Sequence, residues 1–169
     1  MTFQIGEQVV YPNQGIGTIE NVSARSFGTH FEKYYLLRLT CGSMTVMVPF
    51  SHVGHIGLRK VTRNGELMRV LQFLSAGACR SSQDWKVRFR ENSEKMRVGG
   101  LLETAEVLKS LLLLQREKTL SFREKSMLDR ARHMLVTELS ASRHMTQAEA
   151  IRLIQNSLAE ASLTLPPAL

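Results

Sequence analysis

The sequence predicts an α+β fold made of two modules, a small twisted β barrel followed by a compact all-α domain. Short apolar segments separated by glycine and proline turns fill about the first sixty residues. Apolar residues at helical spacing fill most of the rest. With 169 residues, 43% of them hydrophobic, the chain can form two small domains and is too apolar for a disordered protein. We therefore place the β module at 1–60, the helical module at 64–162 and a flexible tail at 163–169.

The β module is predicted from four short strands and the turns between them. Asparagine, glycine and serine at 13–15 and around Gly42 favour tight turns, and Cys41 is expected to be a small residue in the second of these. The segment 51–61 is expected to close the barrel, and its secondary structure is left open. The predicted strands lie at 9–12, 17–27, 33–40 and 44–49.

The helical module is predicted from five segments with helical spacing of apolar residues. Ser121 with Glu124, and Thr146 with Glu149, are capping-box patterns, because hydroxyl and carboxylate can each accept from an unpaired amide at a helix start. Helices are predicted at 64–76, 84–98 and 101–118, with two more beginning after Ser121 and Thr146.

Composition and motif content argue against an enzyme and against a secreted or membrane protein. The sequence contains no glycine-rich phosphate loop, no G-x-S-x-G and no H-E-x-x-H motif. Two cysteines are too few for a disulfide framework or a four-cysteine zinc site, which fits the cytoplasm. The apolar run at 108–114 is too short for a membrane helix, and the N-terminus lacks a secretory pattern. We expect no catalytic residue, metal, cofactor or small-molecule ligand.

The charge pattern indicates a polyanionic partner. The net charge is +7, and nucleic acid is the commonest soluble polyanion. In the helix predicted at 84–98, Lys86, Arg90 and Arg97 fall within about 40° of one another, which suits a row of phosphates. The only tryptophan, Trp85, lies at the start of this helix.

Two interpretations of Trp85 remain open at this point. With Phe89 it could form the buried face of the helix, since tryptophans usually bury most of their area. Alternatively, Phe89 anchors the helix and Trp85 is an exposed wedge that unstacks and bends DNA from the minor groove. Lys125 belongs to a second basic group and is expected to point outward, as part of either a solvated face or a DNA contact.

The strand at 44–49 is a candidate protein-binding edge. It ends at Pro49, and proline favours edge strands, which can pair with another protein's sheet. Met47 could then supply an adaptable contact. In the alternative interpretation, Val46 and Val48 face the core and Met47 is an incidental surface residue.

Four segments in this order resemble the CarD/CdnL family of bacterial transcription regulators. They are VVYPNQGIGTIE at 9–20, VPFSHVGHIGLRKV at 48–61, DWKVRFRENSEKM at 84–96 and LSFREKSMLDRARHMLVTEL at 120–139. The resemblance covers about residues 3–160. It implies a Tudor-like β module that docks on the β subunit of RNA polymerase. It also implies a helical module that meets promoter DNA at the upstream edge of the melted region.

The resemblance also implies site residues. A tryptophan at the start of a basic helix wedges into the minor groove in this family, and Trp85 matches it. Arg88 and Arg90 lie about 160° to 200° apart on an ideal helix, so they cannot both reach one row of phosphates on a flat surface. Either the groove wraps around the helix and both arginines reach phosphates, or one of the two braces Trp85. The candidate DNA-binding residues are Trp85, Lys86, Arg88, Arg90 and Lys125, and the candidate polymerase-binding residues are Arg25, Met47 and Pro49.

The predicted function is a cytoplasmic, nucleoid-associated regulator that binds RNA polymerase and stabilises promoter open complexes with little sequence specificity. Two other functions remain possible on the sequence. One is a non-specific nucleoid DNA-binding protein that acts without polymerase. The other is a protein–protein adaptor in which Trp85 is buried.

Overall fold

The computed structural model describes residues 2–40 and 42–169, which form two compact units that divide between Val61 and Thr62. The first unit contains all the strands and one short helix, and the second contains five longer helices. Cys41, which was expected in a turn, lies outside the described residues.

The first unit is built on an antiparallel five-stranded sheet. Its strands are β1 (Gln8–Tyr11), β2 (Gly15–Phe27), β3 (His30–Leu39), β4 (Thr45–Pro49) and β5 (Arg59–Lys60). Their order in the sheet is β4-β3-β2-β1-β5. The four predicted strands are present, with ends shifted by a few residues. The prediction of a closed barrel is not confirmed, because the sheet is open, with β4 and the two-residue β5 as its edges.

The hydrophobic core of the first unit lies on one face of this sheet. Tyr35 and Leu37 of β3 and Val48 of β4 are almost fully buried there. The segment 51–61, whose secondary structure the sequence does not predict, follows β4. Together with Phe50 it forms a 3-10 turn at Phe50–His52, helix α1 (Val53–Ile56) and β5. It contributes buried side chains to the same core, so this segment covers the sheet without closing it.

The second unit consists of five helices, and all five were predicted from spacing and caps. Ser121 Oγ accepts from the amide of Glu124 at 3.2 Å, and Thr146 Oγ1 accepts from the amide of Glu149 at 3.2 Å. The predicted helix starts are therefore confirmed. The helices are α2 (Asn64–Ala76), α3 (Trp85–Val98), α4 (Leu101–Glu117), α5 (Phe122–Arg143) and α6 (Gln147–Glu160).

Helix α4 lies at the centre of the second unit. It packs against α2, α3 and α5, while α6 packs on α2 and α5. The fully buried side chains of the second unit include Leu108, Leu111, Leu135 and Ile154. Because α3 packs mainly on α4, most of its surface is left to solvent, as its many exposed residues show.

The C-terminal segment 163–169, for which a flexible tail is predicted, contacts the helices of the second unit. Leu163 and Leu165 are buried. The Gln155 amide donates to the carbonyl of Leu163 at 3.3 Å and accepts from the amide of Leu165 at 2.7 Å. Arg132 Nε donates to the carbonyl of Pro166 at 2.7 Å. Two buried leucines and these hydrogen bonds connect the segment with α5 and α6.

Candidate functional site

Trp85 is the first residue of α3, and its side chain is 58% exposed. The preceding residue, Asp84, caps the helix by accepting from the amide of Lys86 at 2.9 Å. Helical side chains tilt toward the N-terminus, so the side chain at the first position extends beyond the end of the helix. Phe89, one turn later, is half-buried. The interpretation in which Trp85 is buried in the helical core is therefore wrong.

Lys86 and Arg90 lie on the exposed surface of α3. The ammonium of Lys86 is 5.6 Å from the centroid of the Trp85 ring, within the range of a cation–π contact. The exposed indole thus has a positive charge directly beside it. This combination of an exposed ring and adjacent cations suits a partner that carries both negative charge and stacked rings.

Arg88 differs from its neighbours on α3, because it is only 3% exposed. Its guanidinium forms an ion pair with Glu124 of α5, with Nε to Oε2 at 3.0 Å. A side chain buried in this way cannot reach a phosphate without breaking that pair. The structure therefore does not support Arg88 as a direct DNA contact, and of the two arrangements left open it favours the bracing one.

The start of α5 lies beside the start of α3 and carries further exposed groups. The guanidinium of Arg123 is 4.4 Å from the centroid of the Phe89 ring, which joins the two helices a second time. Lys125 is exposed, as predicted. Phe122, the first residue of α5, is 82% exposed, and it is not among the residues predicted from the sequence to form a site. The sequence does contain a signal for this exposure, because Phe122 lies about 120° around the helix from the buried stripe that includes Leu128.

The three candidate polymerase contacts share one face of the sheet. Arg25 lies on β2, and Met47 and Pro49 lie on β4. Side chains alternate between the faces of a strand, and the register places all three opposite alternate residues of β3. These partners are Glu32, Tyr34 and Leu36, respectively opposite Arg25, Pro49 and Met47.

The face of the sheet that carries Arg25, Met47 and Pro49, called the outer face below, combines exposed apolar atoms with a free strand edge. Met47 is 36% exposed, and Pro49, Tyr34 and Leu36 are partly exposed beside it. Val48 is fully buried on the opposite face, as expected from strand alternation. Because β4 is one of the two edge strands of the sheet, the backbone groups on its outer side lie next to these apolar side chains.

Within 2–40 and 42–169, no three histidine, cysteine, aspartate or glutamate side chains are grouped to hold a metal ion, and no helix could span a membrane. Cys79 lines an open cleft of about 800 Å³ whose lining, in the same residues, includes no histidine. Burial raises the pKa of the Cys79 thiol, although nearby Lys109 acts in the opposite direction.

We expect the Cys79 thiol to react slowly with iodoacetamide. A raised pKa leaves less thiolate at any given pH, and the thiolate is the nucleophile. In a Cys41→Ser variant, the alkylation rate should lie below that of a cysteine in an unstructured peptide. It should also keep rising at pH values where the peptide thiol is already ionised. A rate equal to that of the peptide would contradict this expectation.

Comparison with known proteins adds the family. Residues 3–62 match the CarD-like/TRCF RID domain, and residues 69–155 match the CarD C-terminal domain. YdeB of Bacillus subtilis strain 168, described as a candidate transcription factor, is 34% identical over 147 residues, which cover 87% of this chain and 96% of YdeB. The solved structure of CdnLNt from Myxococcus xanthus is 31% identical, covers 36% of this chain and 86% of its own, and gives a TM-score of 0.32. The chain therefore belongs to the CarD/CdnL family of transcription regulators, which interact with RNA polymerase.

Proposed function

We propose that this protein docks on the β subunit of RNA polymerase through its sheet and stabilises promoter open complexes through its helical unit. Trp85 enters the minor groove at the upstream edge of the melted region and holds an unstacked base step. The observation that carries this proposal is the 58% exposure of a lone tryptophan at the tip of a helix with cations beside it.

The DNA part of the proposal follows from the chemistry of the α3 and α5 starts. Inserting an apolar side chain at a base step costs about a few kcal/mol of lost base stacking. This cost is smallest where the DNA is already distorted. Lys86, Arg90 and Lys125 are exposed and supply contacts to phosphates, which position a protein without reading sequence. The protein consequently acts at many promoters.

The polymerase part of the proposal follows from the outer face and edge of the sheet. A free edge strand can add to another protein's sheet through main-chain hydrogen bonds, and the side chains next to it give specificity. Met47 and Pro49 provide apolar contact on β4, and Arg25 provides a positive charge on the same face. An interface of this kind needs no rearrangement of the buried core.

The two contacts act together in the proposed mechanism. Binding to polymerase raises the local concentration of the helical unit near the promoter, so weak intrinsic affinity for DNA is sufficient. A wedge that binds the melted state better than the closed state shifts the equilibrium by a factor of ten for each ~1.4 kcal/mol of difference. The proposed site of action is the nucleoid in the cytoplasm.

The polymerase contact is tested by the variant Met47→Glu. A carboxylate on this exposed apolar face should weaken binding to polymerase by about tenfold or more, since burying an unpaired charge costs more than ~1.4 kcal/mol. Binding to free duplex DNA should stay unchanged. The matched control is Met68→Glu, because Met68 is 55% exposed on α2, outside the proposed surface.

Two measurements decide the outcome of this test. Polymerase affinity is measured by a pull-down titration, and open-complex lifetime is measured after competitor challenge with and without the protein. The wild type should prolong the lifetime, and Met47→Glu should not at the same concentration. If Met47→Glu prolongs it as well as the wild type does, the protein acts without this contact, as a general nucleoid DNA-binding protein would.

A further inference from the structure

A buried ion pair joins the starts of the two helices that carry the exposed aromatic side chains. Arg88 lies in the first turn of α3, and Glu124 lies in the first turn of α5. Arg88 Nε donates to Glu124 Oε2 at 3.0 Å, and Nη2 donates to Oε1 at 3.4 Å. The two side chains are 3% and 9% exposed. Such a two-point contact restricts both the distance and the relative rotation of the helix starts.

Arg88 also holds the segment that leads into α3. Its Nη1 donates to the carbonyl of Ser82 at 3.2 Å and to that of Gln83 at 3.5 Å. These residues immediately precede Asp84, the cap of α3. All three guanidinium nitrogens are thus engaged inside the protein, and the chain on both sides of Trp85 is tied to one side chain.

Glu124 is fixed from its own side by the cap of α5. Its amide donates to Ser121 Oγ at 3.2 Å, and the Ser121 hydroxyl donates to Glu124 Oε1 at 3.4 Å. Phe122 lies between these two residues. The side chain of Glu124 therefore makes two kinds of contact. It accepts from Ser121 at the start of α5, where Phe122 lies, and it binds Arg88, which holds the start of α3, where Trp85 lies.

We propose that Arg88 and Glu124 are positioning residues that set the orientation of Trp85 and Phe122 relative to each other, and that Arg88 makes no phosphate contact. What the positioned rings bind rests on the function proposed above. A buried ion pair adds little net stability over an apolar replacement of similar volume, so its value here lies in its fixed geometry. Exposed rings at helix ends have few other contacts that could hold them.

Fluorescence tests this inference without DNA, because Trp85 is the only tryptophan. Arg88→Met and Glu124→Gln should each lower the fluorescence anisotropy of Trp85, although Glu124 lies on another helix. The double variant Arg88→Met with Glu124→Leu should keep its helical circular dichroism and show the same loss. As control, Glu94→Gln, which weakens the exposed pair with Arg97 on α3, should leave the anisotropy unchanged. Wild-type anisotropy in the folded double variant would overturn the proposal.

The salt dependence of DNA binding tests whether Arg88 touches phosphate. Loss of one phosphate contact reduces the slope of log K against log salt concentration by about 0.9. Arg90→Ala should show this reduction, and Arg88→Met should keep the wild-type slope while binding more weakly. A reduction of about 0.9 in Arg88→Met would overturn the proposal. If the wild type binds no DNA at all, the proposed function fails, and the anisotropy measurement still decides the positioning role.

Discussion

Replacing Trp85 with alanine is expected to leave the protein folded and to remove most of its effect on open-complex lifetime. Substitution of an exposed side chain usually changes stability by less than about 0.5 kcal/mol, and Trp85 is 58% exposed. In the proposed mechanism, the interaction that this variant loses is the one made only with unstacked DNA. Its scale of a few kcal/mol corresponds to a loss of about tenfold or more in lifetime enhancement.

The measurement is the decay of open complexes after competitor challenge, at a protein concentration that saturates polymerase. Binding to polymerase should be unchanged in Trp85→Ala, because the tryptophan lies in the helical unit. Trp85→Phe should retain part of the effect, since phenylalanine is also an apolar ring that can enter a base step. Met68→Ala, another exposed apolar position, should retain all of it. A folded Trp85→Ala with wild-type lifetime enhancement would rule out the wedge.

Replacing Glu138 with alanine is expected to destabilise the helical unit by about 3 kcal/mol. Glu138 lies on α5, is fully buried and accepts from the amide of Thr62 at 2.9 Å and from its hydroxyl. Ser142, one turn along α5, donates to the carbonyl of Thr62 at 2.5 Å. Removing the carboxylate leaves buried donors without an acceptor, which costs more than the bonds themselves contribute.

Urea unfolding monitored by circular dichroism at the helical band measures this effect, since α2 to α6 all belong to the helical unit. Glu138→Gln should lose less, because the amide oxygen can still accept from Thr62. Glu160→Ala is the control, as Glu160 is exposed on α6, and its stability should change by less than about 0.5 kcal/mol. A midpoint for Glu138→Ala equal to that of this control would show that the carboxylate is dispensable.

Local signals predicted the four main strands and the five long helices, but not the 3-10 turn, α1 and β5 within 50–60. The pairs Ser121–Glu124 and Thr146–Glu149 predicted helix starts that the structure confirms, because a capping box depends only on residues three apart. The strand ends were similarly set by proline and by turn residues. Whether the sheet closes was not a local question, since it depends on whether β4 and β5 meet, and the open sheet differs from the predicted barrel.

Contacts between residues far apart in sequence decided which of the candidate site residues are buried and which are exposed. Arg88 and Arg90 are both basic residues on one helix, and nothing local marks Arg88 as the buried one. Its burial follows from Glu124, 36 positions away. A flexible tail is likewise predicted at 163–169 because chain ends tend to fray, and the hydrogen bonds of Gln155 with Leu163 and Leu165 are visible only in the structure.

By itself the sequence determined the two-part α+β organisation, the five long helices and the family resemblance, because spacing, caps and turn residues act over a few positions. Only the tertiary structure decided that Trp85 faces solvent, that Arg88 is committed to Glu124 and that Phe122 is exposed. The physical reason is that exposure depends on which neighbour covers a side chain. At the first turn of α3 and of α5, that neighbour comes from elsewhere in the chain or is absent among the described residues.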